Sequence, residues 1–501
     1  MFNDKMLNFN HFCFNEQTEG MNPTTVILFI VGYFGLLMLI SHFTSKGANN
    51  ESFFIGGHKS PWYLVAFGMI GASLSGVTFI SVPGWVAASK FSYMQMVMGY
   101  FAGYTVIALV LMPLYYRLNL TSIYTYLEDR FGYYSYKTGA AFFLLSRTIG
   151  AAFRLYLVAQ VLQYLVFDQW GVPFFVTVSI TILLIWLYTF KGGIKTIVWT
   201  DSLQTLFMLI AVGVSIYFLS AKLDLGFSEL VAEVKNSEYS QILFFDDWND
   251  RKHFVKQFFS GMFLAIVMTG LDQDMMQKNL SCVNIKDGQK NMFSFSIVLI
   301  VVNFVFLVLG ALLFIYAQKT GMEIPAKTDN LFPAIATNLN TAAGVFFILG
   351  LVAAAYSSAD SALTALTTSV CVDFLDVKNK QESVSVKLRK RVHVIVSFVL
   401  FIVILVFDLI NDESVISSLF KAAGYTYGPL LGLYAFGLML KRKVKDNLVP
   451  IICILSPIIC FVLNSYSGTI FNGYKFGFEI LILNGALTFL GLFLISFSEK
   501  K

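Results

Sequence analysis

Apolar stretches of about 20 residues, parted by short polar connections, recur along almost the whole chain, and each is long enough to cross ~30 Å of hydrocarbon as a helix. The pattern divides into about thirteen stretches, at roughly 24–44, 61–89, 93–116, 138–166, 172–190, 196–220, 253–277, 290–318, 343–372, 391–409, 414–440, 447–465 and 476–496. Alternating polarity over ~10 residues, the mark of a membrane β-barrel strand, is absent. The expected fold is all-α, a polytopic bundle of membrane helices.

Composition agrees. Hydrophobic residues make up 57% of the chain and charged residues 13%, about half the charge of a soluble domain. The net charge of +5 suggests acidic partners only until the charges are placed. Lys46, Lys59, Arg117, Arg130, Lys137, Lys191, Lys195, Lys278, Lys286, Lys290, the run 387–391 and Lys441 to Lys443 fall in alternate loops. Excess Lys and Arg mark the cytoplasmic side. The N-terminus is then expected outside and Lys501 inside a cell membrane. The run 387–391 also admits a lipid-binding role, but anchoring a short cytoplasmic loop explains it more simply. No stretch suggests nucleic acid, and no protein partner is implied.

Cys13, Cys282, Cys371, Cys453 and Cys460 lack CxxC spacing, so neither zinc nor a disulfide framework is indicated. Residues 1–20 are polar and match no signal peptide. Met21 opens a more typical beginning, which leaves the true start between Met1 and Met21. Residues 1–23 are expected outside the membrane. The longest polar insertion, 221–251, is acidic.

Polar residues inside hydrocarbon are costly unless they face a cavity or a partner. In the second stretch, Gly68, Gly71, Gly76, Pro83 and Gly84 weaken the helix beside Ser73, Ser75 and Thr78. An unwound midpoint would free carbonyls for a cation and offer a helix N-terminus to an anion. The alternative is a small-residue packing face. In the ninth stretch Ala354 and Ser358, like Ser357 and Ser361, are four apart on one face, with Asp360 among them. Hard oxygen ligands suit Na⁺ rather than a soft metal. Asp201 enters the sixth stretch as an interfacial charge or as part of an ion path. Gly270 and the polar run to Lys278 resemble a second interrupted helix, the pair expected of an inverted repeat. Arg147 and Arg154, seven apart, face either a substrate carboxylate or acidic neighbours. No H-E-x-x-H, G-x-S-x-G or P-loop occurs, and the histidines lie near polar ends, so an enzyme is not expected.

At these residues the chain resembles the sodium–solute symporter family of sugar, proline and sialic-acid carriers with the LeuT-type fold. The matching pieces are the GG-x5-W-T-D segment ending at Asp201, the run from Gly270 to Gln277, Ser357-Ser358-Ala-Asp-Ser361, Gly428-Pro-Leu-Leu-Gly432, and Ser122 to Gly132. They spread over 24–440, in family order. The resemblance implies a 5+5 inverted-repeat core, with repeats at 61–220 and 253–440, an extra helix at 24–44 and two further helices at 447–496. It implies a shared sodium site of the Gly71, Leu74 and Ala354 carbonyls and the Ser357 and Ser358 hydroxyls. Asp201, Asp360 and Ser361 fall where some members bind a second sodium, so two ions per solute are expected. No cofactor is implied beyond Na⁺ as coupling ion.

For the solute, the resemblance points to Ser73, Ser75, Thr78, Gln95, Arg147, Gln273 and Tyr425. Ser75 and Thr78 resemble the hydroxyl pair that receives a carboxylate in sialic-acid carriers, which favours an acidic sugar or another small carboxylate. Neutral sugars, polyols and amino acids remain open. The expected activity is sodium-coupled import by alternating access. A membrane sensor on the same fold and a channel are the competing classes; uptake above equilibrium excludes the channel.

Overall fold

In hydrocarbon the main chain must satisfy its own hydrogen bonds, which leaves an apolar stretch little choice but a helix. The computed structural model describes residues 23–46, 53–54, 56–410, 415–474 and 476–497. Nearly all of the N-terminal segment 1–23 lies outside them.

The chain opens with α1 (Pro23–Thr44), followed by a pair, α2 (Trp62–Ser73) and α3 (Gly76–Ser89), bent by 54°. Next come α4 (Tyr93–Arg117), α5 (Thr125–Arg130), α6 (Tyr133–Leu162), α7 (Phe174–Gly192), α8 (Ile194–Lys222) and α9 (Phe227–Asn236). A second pair, α10 (Phe254–Gly270) and α11 (Gln273–Leu280), bends by 65°. Then follow α12 (Ile285–Thr320), α13 (Leu331–Leu339), α14 (Thr341–Phe374), α15 (Glu382–Ile410), α16 (Val415–Thr426), α17 (Gly428–Met439), α18 (Val449–Ser465) and α19 (Ile480–Leu494). Two-residue strands β1 (Lys443–Val444) and β2 (Ser496–Phe497) pair antiparallel, which ties the ends of α17 and α19. Among the described residues eight helices are long and apolar enough to cross a membrane, and the bent pairs raise this to ten. Phe174–Thr189, α17 and α19 are shorter apolar helices.

The eleventh stretch, expected as one helix over 414–440, is two. Pro429 has no N–H to continue the helical ladder, and α17 restarts there, with Pro429 in its first turn, where no such donor is needed. The acidic insertion supplies the short α9, whose first turn is closed by Gly226 N–H donating to Glu229 at 2.7 Å.

Small residues set the closest crossings. On α4, Gly99 and Gly103 stand one turn apart against Phe258 and Met262 of α10, while Gly261 of α10 faces Met96. The centre of the bundle is α14. Within its most apolar window 83% of residues are buried, against 22–61% for the other long spans. Polar groups placed there must find their partners on α14 itself or on the helices packed around it.

Candidate functional site

The first break follows from its residues. Leu74 takes φ −85° and ψ 65° and Ser75 is extended. Leu74 N–H still reaches the Ile70 carbonyl at 2.8 Å, and the ladder resumes with Phe79 N–H on the Ser75 carbonyl at 3.0 Å. Among the described residues no main-chain bond crosses between them, so the carbonyls of Gly71, Ser73 and Leu74 leave the ladder. The first N–H groups of α3 are released in the same way.

Two helices close on this break. On α14, Ser358 Oγ donates to the Ala72 carbonyl at 3.2 Å. On α8, Thr205 Oγ accepts from Gly71 N–H at 3.0 Å. Gly71 fits because it is glycine: a Cβ there would collide with Thr205 Oγ and come within 3.3 Å of Ser357 Oγ. Ala354, Ser357 and Ser358 are all buried, and α14 runs on along α3, where Gly76 packs beside Ala355 and Gly350 beside Phe79. Of the residues expected for the shared sodium site, Gly71 thus lies beside Ser357, and Ser358 reaches the next carbonyl of α2, that of Ala72.

Asp201, Ser357 and Ser361 form a group beside it. Ser357 Oγ donates to Asp201 Oδ1 at 3.0 Å, and Ser361 Oγ lies 3.4 Å from Oδ2. Asp360 accepts from Tyr188 OH at 2.8 Å and from the Ser361 N–H at 2.5 Å. Lys278, read in sequence as a loop cation, is instead 1% exposed and donates to Asp201 Oδ2 at 2.6 Å. The reason is the 65° bend, which turns α11 and its polar run back into the bundle.

A cavity opens against the same break. Ser73, Ser75, Thr78 and Arg147, four of the residues the resemblance points to, line it, and so do Arg154, Tyr93, Tyr100, Tyr104, Thr269 and Asn303. The two arginines differ. Arg147 pairs with Asp274 and lies 3.9 Å from Asp272, which also accepts from the Tyr427 hydroxyl at 2.5 Å and from the Asp274 N–H at 2.9 Å. Arg154 is 6% exposed, and no acidic side chain among the described residues reaches ion-pair distance. Its Nε has no partner.

Three residues expected at the solute lie elsewhere, each held by main chain or by another helix. Gln95 donates to the Lys252 carbonyl at 2.8 Å and accepts from Phe244 N–H at 3.1 Å, so it fastens the start of α4 to the insertion before α10. Gln273 bridges the Thr121 carbonyl and the Ile123 N–H, at 2.7 and 2.9 Å. Tyr425 OH accepts from Asn464 of α18 at 2.8 Å. The tyrosines and Asn303 are not among the residues expected at the site, though both leave a signal in the sequence. Tyr93, Tyr100 and Tyr104 recur at seven and four residues, one helix face, and Asn303 interrupts an apolar run. Among the described residues no group of three or more His, Cys, Asp or Glu is placed to hold a metal.

The chain is similar to the Sodium/sialic acid symporter SiaT of Proteus mirabilis, 25% identical over 447 residues, which cover 85% of this chain and 88% of that protein. It is similar to the Sodium/sialic acid symporter NanT of Aliivibrio fischeri, 24% identical over 430 residues, 83% of each. The fold matches that of a Na⁺-coupled sialic acid symporter solved in a substrate-bound outward-open state, with TM-score 0.80 at 20% identity over 94% of this chain and 97% of that one. The model of the sodium:solute symporter family matches residues 53–446. With interrupted helices packed on α14 and a match over most of its length, the chain belongs to the sodium:solute symporter family.

Proposed function

We propose that this chain imports an acidic sugar of the sialic-acid class, driven by sodium, by alternating access between two halves at 61–220 and 253–440. The observation that carries the solute class is Arg154, a buried guanidinium without an acidic partner among the described residues, set in the cavity wall with Ser75 and Thr78. A carboxylate there would receive charge-assisted bonds from Arg154, hydroxyl donors, and the free N–H end of α3. Tyr93, Tyr100 and Asn303 offer hydroxyl and amide groups to the polyol end. The named solute of the two sialic-acid relatives fits this division of the cavity.

Sodium would lie where α2 breaks, held by the Gly71, Leu74 and Ala354 carbonyls with the Ser357 and Ser358 hydroxyls. These are hard oxygen donors, suited to a small alkali cation. An ion there binds α2 to α14 and fixes the break that also forms the cavity wall. Ion and solute then favour each other's binding by linkage. Each ion moving inward gains roughly 2.3 kcal/mol per 100 mV, besides its concentration term. The loops rich in Lys and Arg would face the cytoplasm.

The test is uptake of labelled N-acetylneuraminic acid by proteoliposomes holding the purified chain. An inward sodium gradient should concentrate the solute above its external level, and a potassium gradient of the same size should not. Equal uptake under both gradients would refute the coupling. Sodium-driven uptake of a neutral sugar in place of the acid would refute the solute class alone.

A further inference from the structure

The charges next to the α2–α14 contact carry one step more, which rests on the symporter reading. Lys278 and Asp201 are both buried and joined at 2.6 Å. The oxygens expected to hold a second sodium are already arranged around that pair. Asp201 Oδ1 accepts from Ser357, and Oδ2 accepts from Lys278 and faces Ser361 Oγ. Ser361 Oγ also reaches the Ser357 carbonyl at 2.9 Å. Asp360 is turned to Tyr188 OH and to the Ser361 N–H. A sodium ion in this group would have to share Asp201 with an ammonium of the same charge, in surroundings without solvent to screen the two.

We propose that the Lys278 ammonium is a tethered cation occupying the position of a second sodium, so that the chain binds one sodium ion, at the α2–α14 contact. The ammonium supplies the positive charge that Asp201 needs and joins α11 to α8. Unlike an ion, it stays attached when the solute leaves. One fewer charge then crosses the membrane in each turnover than with two ions. Removing the lysine would leave a buried carboxylate unpaired among hydroxyls, an arrangement that favours any cation able to reach it.

Equilibrium binding of ²²Na⁺ to the purified full chain in lipid nanodiscs tests this by counting ions. The wild-type chain should bind one sodium per chain with a Hill coefficient of one. Lys278→Gln should bind two, with a Hill coefficient above one, because Asp201, Ser357 and Ser361 become free to hold the ion. Two ions on the wild-type chain would overturn the proposal, and so would a folded Lys278→Gln that still binds one. Should that variant fail to fold, Lys278→Arg, which keeps a tethered cation beside Asp201, should bind one sodium per chain with a Hill coefficient of one, as the wild type does. A second ion on that variant would count against the proposal. A wild-type chain that binds no sodium would instead strike the symporter reading itself.

Discussion

At the scale of single residues, the two arginines of α6 separate what one side chain type can do in the same cavity. Arg147 already has carboxylate partners in Asp274 and Asp272, whereas Arg154 lies in the wall without one among the described residues. Arg154→Gln should therefore raise the KM for N-acetylneuraminic acid by about 10- to 100-fold, the worth of a charge-assisted pair, with the sodium dependence kept. Initial rates of uptake against solute concentration give the value, and an unchanged KM would remove Arg154 from solute binding. Gly71 poses the opposite problem, since it matters for what it lacks. Gly71→Ala would push a methyl group into Thr205 and Ser357. The half-saturating sodium concentration should rise several-fold, and a sodium titration of uptake that overlays the wild type would contradict the close approach.

Among the elements, the two broken helices are finished differently. The first keeps the carbonyls of Gly71, Ser73 and Leu74 out of the main-chain ladder, while the second has its own covered by tyrosines. Tyr115 OH donates to the Gly270 carbonyl at 2.9 Å, and Tyr124 OH to that of Leu271 at 3.0 Å. With Gln273 on the 121–123 segment, these bonds fasten the α10–α11 bend to the connection between α4 and α5. Tyr124→Phe leaves one buried carbonyl bare, which should cost about 1–3 kcal/mol and lower the melting temperature of the purified protein. An unshifted melting curve would mean that the bend holds without it. Both breaks were legible in sequence because glycines stand beside hydroxyl residues in the first apolar stretch and ahead of a polar run, Asp272 to Lys278, in the second. The partners of Gln95, Gln273, Tyr425 and Lys278 were not, because each lies more than 30 residues away along the chain. A single sequence shows that a residue is polar and not what it will meet. For the same reason Arg147 and Arg154 look alike on paper, since their difference lies in Asp272 and Asp274 on another bent helix.

Across the whole molecule, the arrangement predicts sidedness. Lys387, at the start of α15, and Ser228, on α9, are both exposed and would stand on opposite faces of the membrane. In a Cys13→Ser background, where the remaining cysteines are buried, Ser228→Cys should react with an impermeant maleimide in intact cells. Lys387→Cys should react only after the membrane is opened, and the reverse pattern would invert the orientation. Coupling is the other property of the whole, since an ion held at the α2–α14 contact, as proposed, would have to govern a cavity lined by eight helices. The most direct measurement is sodium titration of N-acetylneuraminic acid uptake in proteoliposomes carrying wild-type protein or Ser358→Ala. Loss of the Ser358 hydroxyl should raise the half-saturating sodium concentration by about 10-fold or more, with solute uptake recovering at high sodium. A Ser358→Ala protein with the wild-type sodium dependence would contradict a sodium ion held between the broken helix and α14.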